Sequence, residues 1–127
     1  MVARDDEVRN LLPLKPMFAK AGATLREAAA ALRNRDVGLL LVDDGRGFGV
    51  LSERDVVTAL ADGADPDEVW VADVMSQDVV VARPSATVGE VGSMMIDAGM
   101  RHVVLAEGDT VIGVVSLRDI AAALLER

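Results

Sequence analysis

The sequence lacks cysteine and tyrosine, and it contains only one histidine, one tryptophan and two phenylalanines. Without cysteine the chain can form neither a disulfide nor a thiolate metal site, and a single histidine excludes a site built from several histidines. No apolar run reaches the roughly 18 residues that a membrane-spanning helix needs. Residues 1–7 also lack the long apolar region of a signal peptide. The sequence therefore predicts a cytoplasmic protein that holds no metal and contacts no membrane.

Positive charge is scarce as well. Lys15 and Lys20 are the only lysines, and the net charge is −8. Binding to nucleic acid depends on clustered lysine and arginine, and to single strands on aromatic side chains that stack with bases. The composition therefore argues against a nucleic-acid partner. A small anion could still bind wherever a few arginines converge.

Apolar residues make up 51% of the 127 residues, almost all of them aliphatic. This length fits one compact domain. Each half alone would bury too small a fraction of its surface to be stable. We therefore expect the two halves to share a core of valine, leucine, alanine, isoleucine and methionine.

The chain contains an internal repeat. Residues 8–12 (VRNLL) correspond to 71–75 (VADVM), and residues 24–27 (TLRE) correspond to 87–90 (TVGE), both with an offset of 63. Residues 49–56 (GVLSERDV) return as 113–120 (GVVSLRDI), with an offset of 64. Two copies favour a closed pair over an extended solenoid. We expect repeats at 8–63 and 71–127, packed about a pseudo-twofold axis with equivalent clefts between them.

Both halves show the same predicted order of strands and helices. In the first half we predict a strand at 15–20, a helix at 24–35, a strand at 37–42, a hairpin turn at 43–47, a strand at 48–51 and a helix at 53–62. After a linker at 64–67, the second half gives strands near 79–83, at 101–106 and at 110–115, with helices at 87–98 and from 117 onward. Thr24 and Glu27 have the spacing of a capping box. The order β-α-β-β-α, found twice, predicts an α/β (α+β) fold with two small mixed sheets and helices on one face.

The sequence resembles a tandem pair of cystathionine-β-synthase-type (CBS) domains, also called a Bateman module. The residues that carry the resemblance are 71–76 (VADVMS), 99–104 (GMRHVV) and two Gly-x-x-Ser-x-Arg-Asp blocks that begin at Gly49 and Gly113. The resemblance implies a regulatory protein that binds adenosine-containing ligands such as AMP, ADP, ATP or S-adenosylmethionine between the repeats. It implies no required cofactor and no catalysis. The residues agree with the last point, because no nucleophile, base and orienting group converge in the pattern.

The Ser-x-Arg-Asp blocks are the candidate ligand sites. Ser116 lies where a strand ends and a helix begins, and helix N-termini favour anions. Arg118 can reach phosphate, and the carboxylate of Asp119 can accept hydrogen bonds from two ribose hydroxyls. The resemblance implies that Asp119 holds the ribose and that Ser116 contacts ribose or phosphate, with the same roles for Asp55 and Ser52. A serine and an aspartate at this spacing also fit a helix cap that needs no ligand.

The two predicted sites differ in charge. Arg101 and His102 open the second-half strand and are candidate phosphate contacts, whereas the equivalent Gly38 and Leu39 carry no charge. The resemblance implies that each block faces the entry strand of the other repeat. The Asp119 site would then be lined by Lys15, Pro16 and Met17, and the Asp55 site by Asp78, Val79 and Val80, with Arg54 nearby. We expect the Asp119 site to take phosphorylated ligands and the Asp55 site to be empty, weaker or suited to an uncharged or cationic adenosine.

Apolar residues near these blocks have two interpretations. Met17 and Val80, together with Ile112 or Val114, could form the walls around adenine, or they could simply belong to the core. The function of the whole chain also has an alternative. The chain could be an interaction module without a nucleotide, in which the alanine-rich helix around 121–125 packs against a second copy. We expect a homodimer, and the regulatory hypothesis also expects a separate effector protein.

Overall fold

The computed structural model describes residues 4–11, 17–35, 38–43, 45, 47–77 and 79–125. It contains two three-stranded mixed sheets. One sheet has the order β1 (Phe18–Lys20), β2 (Leu39–Asp43) and β3 (Phe48–Ser52), and the other has β4 (Val81–Ala82), β5 (His102–Glu107) and β6 (Thr110–Ser116). In each sheet the first two strands are parallel and the last two are antiparallel. The predicted α+β class and the two small mixed sheets are confirmed.

The helices are α1 (Leu25–Arg35), α2 (Glu53–Ala61), α3 (Val71–Val74), α4 (Val88–Ala98) and α5 (Leu117–Leu125), and a short 3-10 helix covers Val8–Leu11. The order β-α-β-β-α is therefore present twice. Neither the 3-10 helix nor α3 was part of the predicted order. The longest helices have 11 residues, and within the described part of the chain none is long and apolar enough to cross a bilayer. The cytoplasmic location stays a prediction.

The strands differ from the predicted bounds at their beginnings. The first strand starts at Phe18, and the predicted residues Lys15 and Pro16 lie outside the described residues. The strand predicted near 79–83 pairs as a strand only over Val81 and Ala82. Val80 already accepts a hydrogen bond at 3.0 Å from the backbone N–H of Val104, one position ahead of the strand. Short edge strands of this kind leave few unpaired backbone groups.

The helix caps follow the sequence signals. The hydroxyl of Thr24 accepts a hydrogen bond from the backbone of Glu27 at 3.2 Å, and the Glu27 carboxylate accepts one from the backbone of Thr24 at 3.1 Å. Thr87 begins α4 by accepting a hydrogen bond from the backbone of Glu90 at 3.1 Å. Gly99 ends α4 with a φ of +65°, a left-handed conformation that glycine adopts without strain.

The chain divides into two compact units. Unit 1 comprises Met1–Pro16 and Val80–Arg127, and unit 2 comprises Met17–Val79. Each has its own core of aliphatic residues, whereas we expected one core that the two halves share. The buried residues of unit 1 are Val8, Ala82, Val88, Val91, Met95, Val103, Leu105, Val115 and Ile120. Those of unit 2 are Leu25, Ala28, Leu32, Leu40, Val42, Leu51, Val56 and Val71.

The compact units and the sequence repeats are different divisions of the chain. The N-terminal segment (residues 4–11) packs with the second half of the sequence, where Val8 is completely buried in the core of unit 1. The middle segment (residues 65–76) stays with the first half, where Val71 is completely buried. The predicted linker at 64–67 lies at the start of this middle segment, and Pro66 accepts a hydrogen bond from the backbone of Arg26 at 2.9 Å. The linker is therefore part of unit 2.

The middle segment also covers the outer edge of β3. Val50 and Ser76 exchange two backbone hydrogen bonds, both 2.8 Å long. The adjacent Gly49 has no room for a side chain, since a Cβ there would lie 2.8 Å from the Ser76 carbonyl oxygen. Earlier in the same segment, Trp70 pairs with Thr24 in an isolated antiparallel bridge, and half of its surface (50%) remains exposed.

Candidate functional site

The Ser-Leu-Arg-Asp block of unit 1 forms a complete capping box at the junction of β6 and α5. The backbone N–H of Ser116 donates to Oδ2 of Asp119 at 2.9 Å, and the backbone N–H of Asp119 donates to Oγ of Ser116 at 3.0 Å. Both side chains are half-buried. The second carboxylate oxygen, Oδ1, has no hydrogen bond to any residue that the structure describes. Asp119 can therefore cap its helix and still accept a hydrogen bond from a ligand.

The start of β5 lies beside this block. His102 is the direct partner of Ser116 in the antiparallel register of β5 and β6. The carbonyl of Arg101 accepts a hydrogen bond from the backbone N–H of Leu117 at 2.8 Å. Arg101 is exposed, and so is Arg118 on the first turn of α5. The structure thus brings together at one end of unit 1 five of the residues that the sequence predicted: Arg101, His102, Ser116, Arg118 and Asp119.

Unit 2 repeats this geometry. Ser52 and Asp55 form the same box, with distances of 2.8 Å from Ser52 N to Asp55 Oδ2 and 3.1 Å from Asp55 N to Ser52 Oγ. Leu39 pairs with Ser52 in the register of β2 and β3, and the Gly38 carbonyl accepts from Glu53 N–H at 3.1 Å. The capping box and the strand pairing beside it are therefore the same in both units.

The side chains around the capping box differ between the units. In unit 2 the strand start holds Gly38 and Leu39, and the exposed Arg54 is the cation of the block. In unit 1 a histidine and a second arginine stand at those positions. An anion at the unit 1 site would meet more positive charge than an anion at the unit 2 site. The expected difference in charge is thus present in the local geometry of each unit.

The other predicted lining residues are less easily placed. Lys15, Pro16 and Asp78 lie outside the described residues. Met17 belongs to unit 2, where its carbonyl accepts from Leu41 N–H at 2.8 Å, and Val79 belongs to the same unit. Val80 packs against the core of unit 1. Met17 therefore does not share a compact unit with Asp119, and Val80 does not share one with Asp55.

Two of the candidate adenine walls lie on β6. Val114 is half-buried and is separated by one residue from Ser116, so the two side chains lie on the same face of the strand. Ile112 is 39% exposed and lies at a bulge, where the register shifts opposite Leu105 and Ala106. Val114 is thus the better placed of the two for contact with a ligand at Ser116.

The sequence did not predict one ion pair in unit 2. The guanidinium of Arg26 on α1 contacts the carboxylate of Asp67 through two hydrogen bonds of 2.5 Å and 3.2 Å. The hydrogen bond from Arg26 lowers the pKa of Asp67 from its ordinary value. Only the opposite charges of the two residues could have hinted at this pair, because they are 41 positions apart. In the described parts of the chain, no three histidine, aspartate or glutamate side chains form a group that could hold a metal ion.

The comparison with known proteins identifies the same two repeats that the sequence shows. The family model of the CBS domain matches the chain twice, at residues 8–62 and 71–126. An uncharacterized protein of Methanopyrus kandleri is 31% identical over 101 residues, and the match covers 76% of this chain and 52% of that protein. The chain thus spans about half the length of this relative.

Solved structures agree on the fold. A putative signal-transduction protein with CBS domains from Burkholderia ambifaria matches with a TM-score of 0.86 and 22% identity, covering 94% of this chain and 93% of that chain. A CBS-domain protein of Pyrobaculum aerophilum, solved in complex with AMP, matches with a TM-score of 0.78 and 29% identity, covering 89% and 88%. The repeats in the sequence, the two mixed sheets and these matches lead to one conclusion: the chain belongs to the CBS-domain family and carries a tandem pair of CBS domains.

Proposed function

We propose that this chain is a regulatory protein that binds an adenosine-containing ligand, and that phosphorylated ligands bind at the unit 1 site formed by β5, β6 and α5. The observation that carries the proposal is the position of Arg101 and His102 beside the Ser116–Asp119 box. Oδ1 of the Asp119 carboxylate has no hydrogen bond to the described residues and can accept one from ribose, and the positive end of the α5 helix dipole favours an anion. The AMP bound to the Pyrobaculum aerophilum relative supports the same class of ligand.

The chemistry of the site favours binding over catalysis. Ser116 is held in a helix cap, and its partner Asp119 is already engaged with the backbone. Neither residue is arranged as a nucleophile with an adjacent base. We propose that ligand binding shifts the chain between conformations that a separate effector protein distinguishes.

Thermal unfolding in the presence of candidate ligands tests this function. AMP, ADP, ATP and S-adenosylmethionine are compared with unphosphorylated adenosine. A ligand at a hundred times its dissociation constant stabilises the folded state by about 2.7 kcal/mol, which raises the melting temperature by several degrees. We expect a larger shift with at least one phosphorylated ligand than with adenosine.

Two variants locate the ligand. Asp119→Ala removes the ribose acceptor together with a helix cap, so the ligand-induced shift is compared and not the baseline melting temperature. Arg101→Ala leaves the cap intact and should reduce the shift for AMP while leaving that for adenosine unchanged. Arg83→Ala is the matched control, because Arg83 is an exposed arginine of the same unit that follows β4, at the other end of the sheet. Equal AMP shifts in the Arg101 and Arg83 variants would contradict the proposed phosphate contact.

A second candidate function is an interaction module that forms a homodimer without a nucleotide. The observation in its favour is the exposure of apolar side chains on two helices, with Val57 at 64% on α2 and Leu125 at 76% on α5. On α2, Leu60 is also exposed (47%), and on α5, Leu124 is (48%), so each helix has two exposed apolar residues. Exposed apolar patches mark protein interfaces. The absence of a shift with every ligand, together with a dimer in sedimentation experiments, would favour this function.

A further inference from the structure

The N-terminal and middle segments dock on the two units through the same backbone contacts. In each unit, one segment donates from a valine N–H to an alanine carbonyl and accepts from the first residues of a helix. The bonds of unit 1 are Val8 N to Ala86 O (2.7 Å), Val88 N to Asp6 O (2.9 Å) and Gly89 N to Arg4 O (2.9 Å). Those of unit 2 are Val71 N to Ala23 O (2.8 Å), Leu25 N to Val69 O (2.9 Å) and Arg26 N to Pro66 O (2.9 Å).

These shared contacts cannot determine which segment docks on which unit. Both segments insert a valine into a core, and both place a bridge residue opposite a threonine, since Glu7 faces Thr87 and Trp70 faces Thr24. Backbone hydrogen bonds carry no sequence information. By these contacts alone, either segment would fit either unit.

The side chains where segment and helix meet differ in charge between the units. By its hydrogen bond Arg4 corresponds to Pro66, and Asp67 is the next residue along the middle segment. In unit 2 the helix supplies an arginine and the segment an acid, as Arg26 contacts Asp67 with both members of the pair exposed. In unit 1 the arginine lies on the segment instead, as Arg4, and the helix has Gly89. A Cβ at position 89 would lie 3.1 Å from Cγ and 3.2 Å from Nε of Arg4, so the missing side chain leaves the space that Arg4 covers.

This difference in the position of the arginine would disfavour docking of each segment on the other unit. If the N-terminal segment docked on α1, Arg4 would meet Arg26, with two like charges and two bulky side chains in one place. If the middle segment docked on α4, Asp67 would lose its ion pair with Arg26 and would face Gly89. Specificity is the difference between the free energies of the correct and the incorrect pairing, and both of these contacts favour the correct one.

We propose that positions 4, 26, 67 and 89 determine which of the two segments docks on which unit. The proposal is independent of any ligand.

The absence of cysteine makes the pairing measurable with introduced disulfides. Bridged residues of neighbouring strands have the Cα separation that a disulfide needs. Glu7→Cys with Thr87→Cys reports the native docking of the N-terminal segment. Glu7→Cys with Thr24→Cys reports the exchanged docking. After equilibration in a glutathione redox buffer, the oxidised fraction of each pair is measured, and a non-reducing gel separates crosslinks within a chain from those between copies.

Charge reversal at position 26 is the decisive change. With Arg26→Asp, the helix attracts Arg4 and repels Asp67, so we expect the exchanged disulfide to increase several-fold and the native one to decrease. Arg33→Asp is the matched control, because Arg33 is an exposed arginine on the same helix whose side chain bonds only to Asn34 among the described residues. Adding Asp67→Arg to the position 26 variant should restore the native disulfide.

Circular dichroism establishes that each variant is folded before oxidation. An exchanged fraction that rises equally with Arg26→Asp and Arg33→Asp, or does not rise at all, would overturn the proposal. Failure of Asp67→Arg to restore the native disulfide in the folded double variant would overturn it as well. High salt should weaken the effect of Arg26→Asp, since both members of the ion pair are exposed.

Discussion

At the scale of single residues, the motif aspartates support both a structural and a functional interpretation. Asp119 and Asp55 each engage one carboxylate oxygen with the backbone of the preceding serine. The sequence suggested the cap and the ligand contact as alternatives, and the geometry is compatible with both. Caps were predictable because they depend on neighbours three positions away. The tight contact at Gly49 was not predictable, because its partner Ser76 is distant in the sequence.

Gly49→Ala should destabilise the protein. The added methyl group would lie 2.8 Å from the backbone oxygen of Ser76, so the bridge between Val50 and Ser76 must shift. We expect a loss of about 1 to 3 kcal/mol in the free energy of unfolding, measured by urea denaturation.

Gly22→Ala is the control for this change, since a Cβ at position 22 meets no atom within 4 Å. Its effect should be small or slightly stabilising, because alanine reduces the entropy of the unfolded chain. Equal losses in the two variants would contradict the proposed steric cause.

At the scale of helices and strands, local signals determined most of what could be predicted. All four predicted helices are present, and the Thr24–Glu27 capping box lies where the sequence places it. Strand starts were less predictable, because pairing with a neighbouring strand decides them and the pairing is not local. The boxes at the two equivalent helices also differ: Glu27 reaches back to Thr24, whereas α4 has only the threonine contact.

The box on α1 should make stability depend on pH. Hydrogen bonds from the backbone and the hydroxyl of Thr24 lower the pKa of Glu27 from its ordinary value. The folded state therefore has the lower pKa, so the stabilisation is present above the unfolded pKa and disappears as the pH falls through the folded pKa. We expect Glu27→Gln to lower the urea midpoint at pH 7 and to have little effect near pH 3.

Glu90→Gln supplies the comparison for this prediction, because Glu90 occupies the equivalent position of α4. For each variant, the difference in urea midpoint from the unmodified chain is measured at pH 7 and at pH 3. We expect this difference to change less with pH for Glu90→Gln than for Glu27→Gln. A larger change for position 90 would contradict the assigned role of the Thr24 contacts.

At the scale of the whole molecule, the division into compact units could not be predicted from the repeat. The equivalence of residues 8–12 and 71–75 shows that the two segments have the same role, and it leaves open which half each one completes. The structure shows Val8 in the core of unit 1 and Val71 in the core of unit 2. The ligand-binding roles of Asp119, Asp55 and their neighbours stay predictions.

Truncation of either valine should cost stability. Val8→Ala and Val71→Ala each remove two buried methyl groups, and we expect each to lower the free energy of unfolding by about 2 kcal/mol. Because the two residues lie in different cores, their effects should add in the double variant. Val57→Ala, at a position that is 64% exposed, should change stability little. The free energy of unfolding of all four variants is measured by urea denaturation. A negligible effect of Val8→Ala would contradict the role of the N-terminal segment in the core.

The position of Trp70 has a spectroscopic consequence. It is the only tryptophan of a chain without tyrosine, and it lies in unit 2 beside α1. Its fluorescence therefore follows the environment of the middle segment alone, whereas circular dichroism averages over the helices of both units. If the two signals change together during denaturation, the units unfold as one cooperative system. If fluorescence changes first or last, the native protein supplies its own optical label for the separate unfolding of one unit.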